Sequence, residues 1–177
     1  MLPNILSIFR LLLVIPFFMV MMNNDLQYQR WFAFSIVVIA GLTDRFDGYI
    51  ARKYNLSSEI GIIIDPLVDK IAITIFIIIL WLWNNIATWF FVVVLGRDIL
   101  ILSAAIYLKQ KYNKVIKSNT TGKITIFFIS VALSLALLNY SQIYILKEII
   151  ILIATIYSFY SVYLYWQEFK LIVEEKV

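Results

Sequence analysis

Apolar residues run along this chain in long stretches, and short polar segments separate them. A helix needs about 20 predominantly apolar residues to cross a bilayer, and stretches of roughly this length recur throughout the chain. The pattern predicts an all-α, polytopic membrane protein with six transmembrane helices, over Asn4 to Met22, Trp31 to Ala51, Glu59 to Trp83, Ile86 to Leu108, Lys123 to Asn139 and Tyr144 to Trp166. No internal repeat or separate soluble segment interrupts it, so residues 1–177 are expected to form a single membrane domain.

The polar connections differ in charge between the two sides of the predicted bundle. The nearly neutral set comprises residues 23–25, 84–85 and 140–142, and the basic set comprises residues 52–53 and 109–123. Basic connections tend to stay in the cytoplasm, which predicts cytoplasmic termini and a location in the cell's inner membrane. The formal net charge of +4 is therefore attributed to topology, and no nucleic-acid partner is expected.

Composition narrows the possible chemistry. The chain is 63% hydrophobic with a mean hydropathy of +0.90, which a soluble domain of 177 residues could not shield from water. It contains neither cysteine nor histidine, which excludes disulfides, thiolate nucleophiles, imidazole bases and the usual zinc ligands. Any proton transfer must therefore use a carboxylate, a lysine or a tyrosine.

Carboxylates in the second and third predicted helices are the first candidates for a site. They are Asp44 and Asp47 in the second helix and Asp65 and Asp69 in the third. Both helices must include them to span a bilayer, and spacings of three and four residues place each pair on one helix face. The short loop between the helices makes them antiparallel neighbours. Carboxylate oxygens suit hard dications, so these residues predict a site for two Mg²⁺ or Mn²⁺ ions near the cytoplasmic interface.

The alternative for these carboxylates is a set of separate ion pairs. The available partners are Arg45, Arg52, Lys70 and Arg97. Helix geometry favours the metal site, because Arg45 lies about 100° around the helix from Asp44 whereas the carboxylates share a face.

Small residues continue the same faces. Gly48 and Ala51 follow the first pair of carboxylates, and Gly61 precedes the second pair by four residues. They would let a ligand approach the backbone closely, or they would serve ordinary close packing of helices. Both interpretations remain open on the residues alone.

The combined pattern of these residues resembles a known signature. Asp44-x-x-Asp47-Gly48-x-x-Ala51-Arg52, eight further residues, and Gly61-x-x-x-Asp65-x-x-x-Asp69 match the motif of the CDP-alcohol phosphotransferases at all eight specified positions. The resemblance implies that the four aspartates bind two metal ions and that Asp69 is also the general base. It further implies that Gly48, Ala51, Arg52 and Gly61 help to hold the CDP moiety.

Two flanking segments resemble one branch of that family. Residues 2–10 and 65–70 look like the branch that makes phosphatidylglycerophosphate and cardiolipin. The resemblance implies transfer of a phosphatidyl group from CDP-diacylglycerol to an acceptor hydroxyl, with release of CMP, at a cytoplasmic-side site in a homodimer. Glycerol 3-phosphate is the predicted acceptor, and phosphatidylglycerol is the alternative.

Basic residues outside the motif are candidates for binding the acceptor's phosphate. They are Arg97, Lys114, Lys117 and Lys123. Arg97 falls in the middle of an apolar run, where a charge is costly unless it faces a cavity or a partner. Pairing with Asp98 is its alternative, and topology or attraction to anionic headgroups is the alternative for the lysines. Thr125 stands where the branch often has a second lysine, and Gly96-Arg97-Asp98 resembles the eukaryotic-type cardiolipin synthases. Both features favour the alternative acceptor, phosphatidylglycerol.

Two further classes of protein are compatible with parts of the pattern. An intramembrane prenyltransferase also uses aspartate-rich helices with Mg²⁺, but places its two motifs much farther apart in a larger bundle. A small transporter would account for carboxylates inside a membrane but not for the glycine and Ala-Arg positions. The phosphotransferase interpretation accounts for all of them.

Overall fold

The architecture comes from a computed structural model, which describes residues 12–23, 28–54, 71, 73–114 and 120–174; within 41–54 it describes the backbone and, of the side chains, only that of Thr43. All regular structure in these residues is helical. The elements are α1 (Val14–Met22), α2 (Gln29–Tyr54), α3 (Ile73–Leu82), α4 (Thr88–Tyr112), α5 (Thr120–Leu138), a 3₁₀ turn (Ser141–Ile143) and α6 (Tyr144–Glu174). The all-α prediction is confirmed for this part of the chain.

Three helical segments are long and apolar enough to cross a membrane. They are α4, α5, and the continuous segment Ser141–Glu174 that contains α6. Shorter apolar helices occupy Gln29–Ala40, within α2, and Ile73–Leu82. The chain is thus a membrane protein, whereas the count of six spans and the side on which the termini lie stay predictions.

Contacts divide the chain into two units, Met1–Asn85 and Ile86–Val177. The single domain expected over the whole sequence therefore remains a prediction. In the first unit α1 packs against α2, and Phe17 of α1 is fully buried with its ring edge-on to Phe76 at 4.7 Å. Gln29, at the start of α2, donates from Nε2 to the carbonyl oxygens of Val20 and Met21 at 2.9 and 2.8 Å. Carbonyl groups in the last turn of a helix lack their usual donors, and Gln29 supplies a donor to both of these in addition to the N–H of Asn23, which donates to the carbonyl oxygen of Val20 at 3.3 Å.

In the second unit α6 packs against both α5 and α4. Mostly small residues form the contacts, at intervals of three and four positions. The buried positions are Gly122, Thr125, Ile129, Ala132, Ala136 and Leu137 on α5, and Ile151, Ala154, Ser158 and Ser161 on α6. Small side chains let membrane helices approach closely, so dispersion forces can hold them without a difference in hydrophobicity between helix and lipid.

Three of the predicted helices continue past their predicted ends. The second ends at Tyr54 rather than Ala51. The fourth ends at Tyr112 rather than Leu108, and the last ends at Glu174 rather than Trp166. Lys109, Gln110 and Lys111 follow the apolar stretch of the fourth helix, and Gln167, Glu168 and Lys170 follow that of the last. These residues favour helix while their polar ends reach water. Hydrophobicity alone marks the part of a helix that suits lipid, not the whole helix.

Asparagine occupies the left-handed backbone conformation where α3, α4 and α5 end. The φ angles are 54° at Asn84, 52° at Asn113 and 47° at Asn139. Among residues with a side chain, asparagine adopts this conformation at low cost, which makes it a frequent helix terminator. These asparagines lie in connections that the sequence marks only by their polarity.

Candidate functional site

The first half of the aspartate motif lies within α2. The helix continues unbroken to Tyr54, so Asp44 and Asp47 occupy helical positions, as predicted from span length. At about 100° per residue, Asp44, Asp47, Gly48 and Ala51 fall within an arc of roughly 100° around the helix axis. The backbone register therefore gives the motif a common face.

Arg52 lies just outside this arc. It lies about 40° beyond Gly48 around the axis and one residue after Ala51. This is a register position that borders the motif face, which is compatible with a contact to a ligand held there. It is equally compatible with a residue at the membrane surface.

The second half of the motif falls outside the residues that the structure describes. The motif residues concerned are Gly61, Asp65 and Asp69. Lys117, a candidate for binding the acceptor's phosphate, also lies outside the described residues. Convergence of the four carboxylates, the metal ligands and the general base thus stay predictions. Among the described side chains no group of three aspartates or glutamates lies close enough to hold a metal ion.

Arg97 forms a buried polar cluster in the second unit. Its side chain is 7% exposed, in the middle of α4. Its Nη1 donates to Asp98 Oδ1 at 2.7 Å, and its Nη2 donates to Ser161 Oγ of α6 at 3.3 Å. The ion pair neutralises the guanidinium within the apolar helix, which lowers the cost of keeping it there.

Among the described residues, one hydrogen-bond donor of this cluster has no partner. Arg97 Nε is buried without an acceptor in the described part of the chain. The local pairing with Asp98, the alternative raised for this residue, is thus present, yet it does not satisfy the whole guanidinium. A buried N–H without a partner costs roughly 1–3 kcal/mol. An anionic ligand or a water molecule that reached Nε would recover this cost.

Ser161 is a member of the cluster that sequence reasoning did not single out. It is fully buried on the face of α6 that also carries Ser158 and Ala154. The available signal was a small polar residue at the end of a run of small residues spaced by three and four. That signal is typical of helix packing in general, so it could not have identified the contact with Arg97.

The described lysine candidates lie at helix ends. Lys114 lies two residues after the end of α4 and is partly exposed, and Lys123 lies in the first turn of α5 and is exposed. Thr125, two residues further on, is fully buried and donates from Oγ1 to the carbonyl oxygens of Thr121 at 2.8 Å and Tyr157 at 3.1 Å. Thr125, at the position where the resembling branch often has a second lysine, therefore contributes to the contact between α5 and α6.

Comparison with known proteins identifies a matching family. The model of the CDP-alcohol phosphatidyltransferases matches residues 1–160. A curated relative from Rickettsia felis, named CDP-diacylglycerol--glycerol-3-phosphate 3-phosphatidyltransferase, is 33% identical over 96% of this chain and 95% of its own length. A relative of the same name from Cereibacter sphaeroides is 28% identical over 74% of this chain and 64% of its own length.

A shorter match involves a different activity. A Schizosaccharomyces pombe protein named cardiolipin synthase (CMP-forming) / mitochondrial hydrolase fusion protein is 43% identical over 72 residues. These residues make up 41% of this chain and 12% of the fusion protein. The match is therefore to one part of each protein.

Proposed function

The chain belongs to the CDP-alcohol phosphatidyltransferase family, and from this premise we propose that it transfers a phosphatidyl group from CDP-diacylglycerol to glycerol 3-phosphate. The products are phosphatidylglycerophosphate and CMP. The main support is the Rickettsia felis relative, which carries the name of this activity and aligns over nearly the full length of both chains. The complete motif between residues 44 and 69 is consistent with this activity.

Two divalent ions, Mg²⁺ or Mn²⁺, would be held by the motif's aspartates. These are Asp44, Asp47, Asp65 and Asp69. The donor set fits such ions, because it consists entirely of carboxylates and two of them share one face of α2. When bound, the ions would neutralise the diphosphate and the charge on departing CMP.

Residues of the chain would position the nucleotide and move the proton. Gly48, Ala51, Arg52 and Gly61 would bind the CDP moiety, with Arg52 offering two parallel hydrogen bonds to a phosphate. The acceptor oxygen forms a bond to the lipid-side phosphorus while the bond to the CMP oxygen breaks. Asp69 would accept the hydroxyl proton, since the chain has no histidine to do so.

The acceptor's phosphate would be bound by basic residues outside the motif. The candidates are Arg97, Lys114, Lys117 and Lys123. Arg97 has the best structural support, because its Nε is buried and lacks an acceptor in the described part of the chain. Lys123 is exposed in the first turn of α5, where a soluble phosphate could reach it.

A site at the membrane surface would suit both substrates. The acyl chains of CDP-diacylglycerol can stay in the bilayer while its headgroup reaches the motif. We place the site on the cytoplasmic side of the inner membrane, because the basic connections lie on the same side of the predicted bundle as the motif. Assembly as a homodimer is part of the proposal and rests on the resemblance to the family.

Cardiolipin synthesis is the second candidate function. In it, phosphatidylglycerol would replace glycerol 3-phosphate as the acceptor. The specific support is the match of 72 residues to the Schizosaccharomyces pombe fusion protein. The two functions share the CDP-diacylglycerol site and differ only in the acceptor, so one assay can separate them.

The test measures CMP released from CDP-diacylglycerol by the purified protein with Mg²⁺. Release that depends on glycerol 3-phosphate supports the proposal, and release that depends on phosphatidylglycerol supports the second candidate. No release with either acceptor, or with other alcohols, would reject phosphatidyl transfer.

Lys123→Ala tests the acceptor site in the same assay. The KM for glycerol 3-phosphate should rise several-fold while the KM for CDP-diacylglycerol stays unchanged, because only the acceptor would lose a charge partner. Lys147→Ala is the matched control, since Lys147 lies at the start of α6 beside Glu148, with 3.4 Å between Nζ and Oε1. Equal acceptor dependence in the two variants would assign Lys123 to topology.

A further inference from the structure

An apolar groove lies between α4 and α6. Its volume is about 500 Å³, and its lining includes Leu100, Ala104 and Tyr107 from α4 and Val162, Trp166 and Phe169 from α6. The two helices run in the same direction, because Arg97 contacts Ser161 and Tyr107 contacts Phe169 further along both. The groove therefore has an aliphatic end and, towards the carboxyl ends of both helices, an aromatic end.

Three rings in contact form the aromatic end. Tyr107 and Phe169 lie 5.8 Å apart between ring centroids. Phe169 also stacks on Trp166, with centroids 5.5 Å apart and planes inclined by only 8°. Aromatic residues of this kind concentrate where a membrane's hydrocarbon meets its headgroups.

A lysine sits on each outer ring of this row. Lys111 Nζ donates to Tyr107 Oη at 3.0 Å and lies 5.4 Å from the centre of that ring. Lys170 Nζ lies 5.6 Å from the centre of the Trp166 ring. Both lysines are exposed, so the end of the groove presents two ammonium groups held by the residues that line it.

We propose that this groove binds an anionic phospholipid, with an acyl chain between α4 and α6 and the phosphate at Lys111 and Lys170. Along the groove, aliphatic side chains are followed by aromatic rings and then by cations. A membrane leaflet has the matching order of acyl chains, interfacial region and headgroups. Charge complementarity selects the anionic headgroup, because lysines near a membrane surface attract anionic lipids. None of the residues assigned to CDP or acceptor binding lines the groove, so the proposal does not depend on their roles.

Tryptophan quenching by brominated lipids tests the site through Trp166. The test variant keeps Trp166 and carries phenylalanine at the other four tryptophans, Trp31, Trp81, Trp83 and Trp89. It is reconstituted in phosphatidylcholine containing a small fraction of either brominated phosphatidylglycerol or brominated phosphatidylcholine. Bromine quenches only on contact, and we expect about a tenfold preference for the anionic lipid. A variant that keeps only Trp89, half exposed near the start of α4, should show no preference.

Neutralising both lysines should abolish the preference. Lys111→Gln combined with Lys170→Gln is expected to bring quenching by the two lipids to equality. The control is Lys147→Gln, because Lys147 also lies over an aromatic ring, 4.8 Å from the centre of Tyr144, but at the opposite end of α6. It should leave the preference intact.

Three results would overturn the proposal. The first is equal quenching by both lipids in the starting variant, which would mean ordinary lipid contact. The second is a preference that survives neutralisation of both lysines. The third is no quenching by either lipid, as expected if a second copy of the chain covers the groove. If the tryptophan variants do not fold, native mass spectrometry compares the unaltered sequence with the Lys111→Gln and Lys170→Gln double variant. Selective retention of phosphatidylglycerol over phosphatidylcholine that the double variant loses supports the groove, and equal retention, or selectivity that the double variant keeps, rejects it.

Discussion

Helices α2 and α4 have almost the same length, 26 and 25 residues, but they carry their charges differently. In α4 the mid-helix charges are one adjacent pair, Arg97 and Asp98, whose side chains bond to each other. In α2 four charged residues fall between positions 44 and 52, and its two carboxylates share a face. A self-neutralised pair can persist in an apolar helix for stability alone. Two like charges on one face repel each other unless cations neutralise them, and these would be metal ions in the proposed function or basic side chains in the ion-pair alternative.

The largest expected effect tests the α2 half of this contrast. Asp47→Asn should reduce CMP release about a thousandfold, because it would remove one of the proposed metal ligands while keeping the size of the side chain. The midpoint of thermal unfolding in detergent should change little. The control is Glu148→Gln, a 45% exposed carboxylate at the start of α6, which should retain full activity.

The opposite outcome would make the two helices alike. If Asp47→Asn lowered the unfolding midpoint but left turnover near normal, Asp47 would serve an ion pair as Asp98 does. The metal-site interpretation of the α2 face would then be wrong.

A smaller effect, on stability, is expected in α4. Asp98→Asn removes the carboxylate from a guanidinium that is 7% exposed, which should lower the free energy of unfolding by about 3 kcal/mol. Denaturant unfolding in detergent measures this change. Glu148→Gln removes the carboxylate from the more exposed Lys147–Glu148 pair, which should lower the free energy of unfolding by less than about 1 kcal/mol. Equal costs at the two pairs would contradict the structural role of Asp98.

Ser161→Ala should have a milder effect on the same cluster. It removes the acceptor of the Arg97 Nη2 hydrogen bond, at a cost of about 2 kcal/mol. If Arg97 binds the acceptor, the KM for glycerol 3-phosphate should also rise a few-fold while the KM for CDP-diacylglycerol stays constant. Ser130→Ala is the control, because Ser130 is exposed and donates only to Ile126 of its own helix. A KM unchanged in both variants would confine Ser161 to packing.

The smallest effect concerns the end of α5. Asn139→Ala places a side chain that disfavours a φ of 47° at the helix terminus, which should cost about 1 kcal/mol. Asn139→Gly should be neutral or slightly stabilising, because glycine adopts this conformation freely. Thermal unfolding of the two variants in parallel checks the prediction, and identical losses would exclude the backbone explanation.

The sequence predicts the helical class and the α2 positions of the motif because both depend on local periodicity. Asp44 and Asp47 had to be helical to complete a span, and the helix continues past them. The family is likewise readable from residue types at fixed spacing, and the match over residues 1–160 confirms it.

Contacts between helices could not be predicted in the same way. Which residue of α6 would meet Arg97 depends on the rotation and offset of two helices, and the sequence contains several suitable serines and threonines. The carboxyl-terminal ends of α4 and α6 were also not predicted, because helix propensity and hydrophobicity end at different residues there. Convergence of the motif's two halves stays a prediction for the same reason, since it depends on how separate helices meet.

The length of α6 offers a practical opportunity. Its 31 residues rise about 46 Å, whereas the hydrocarbon core of a bilayer measures about 30 Å. Several turns must therefore stand clear of the lipid tails unless the helix tilts strongly. A rigid soluble domain joined to Glu174 in continuous helical register would inherit the orientation of α6, giving so small an enzyme a fiducial marker for image alignment in cryo-electron microscopy.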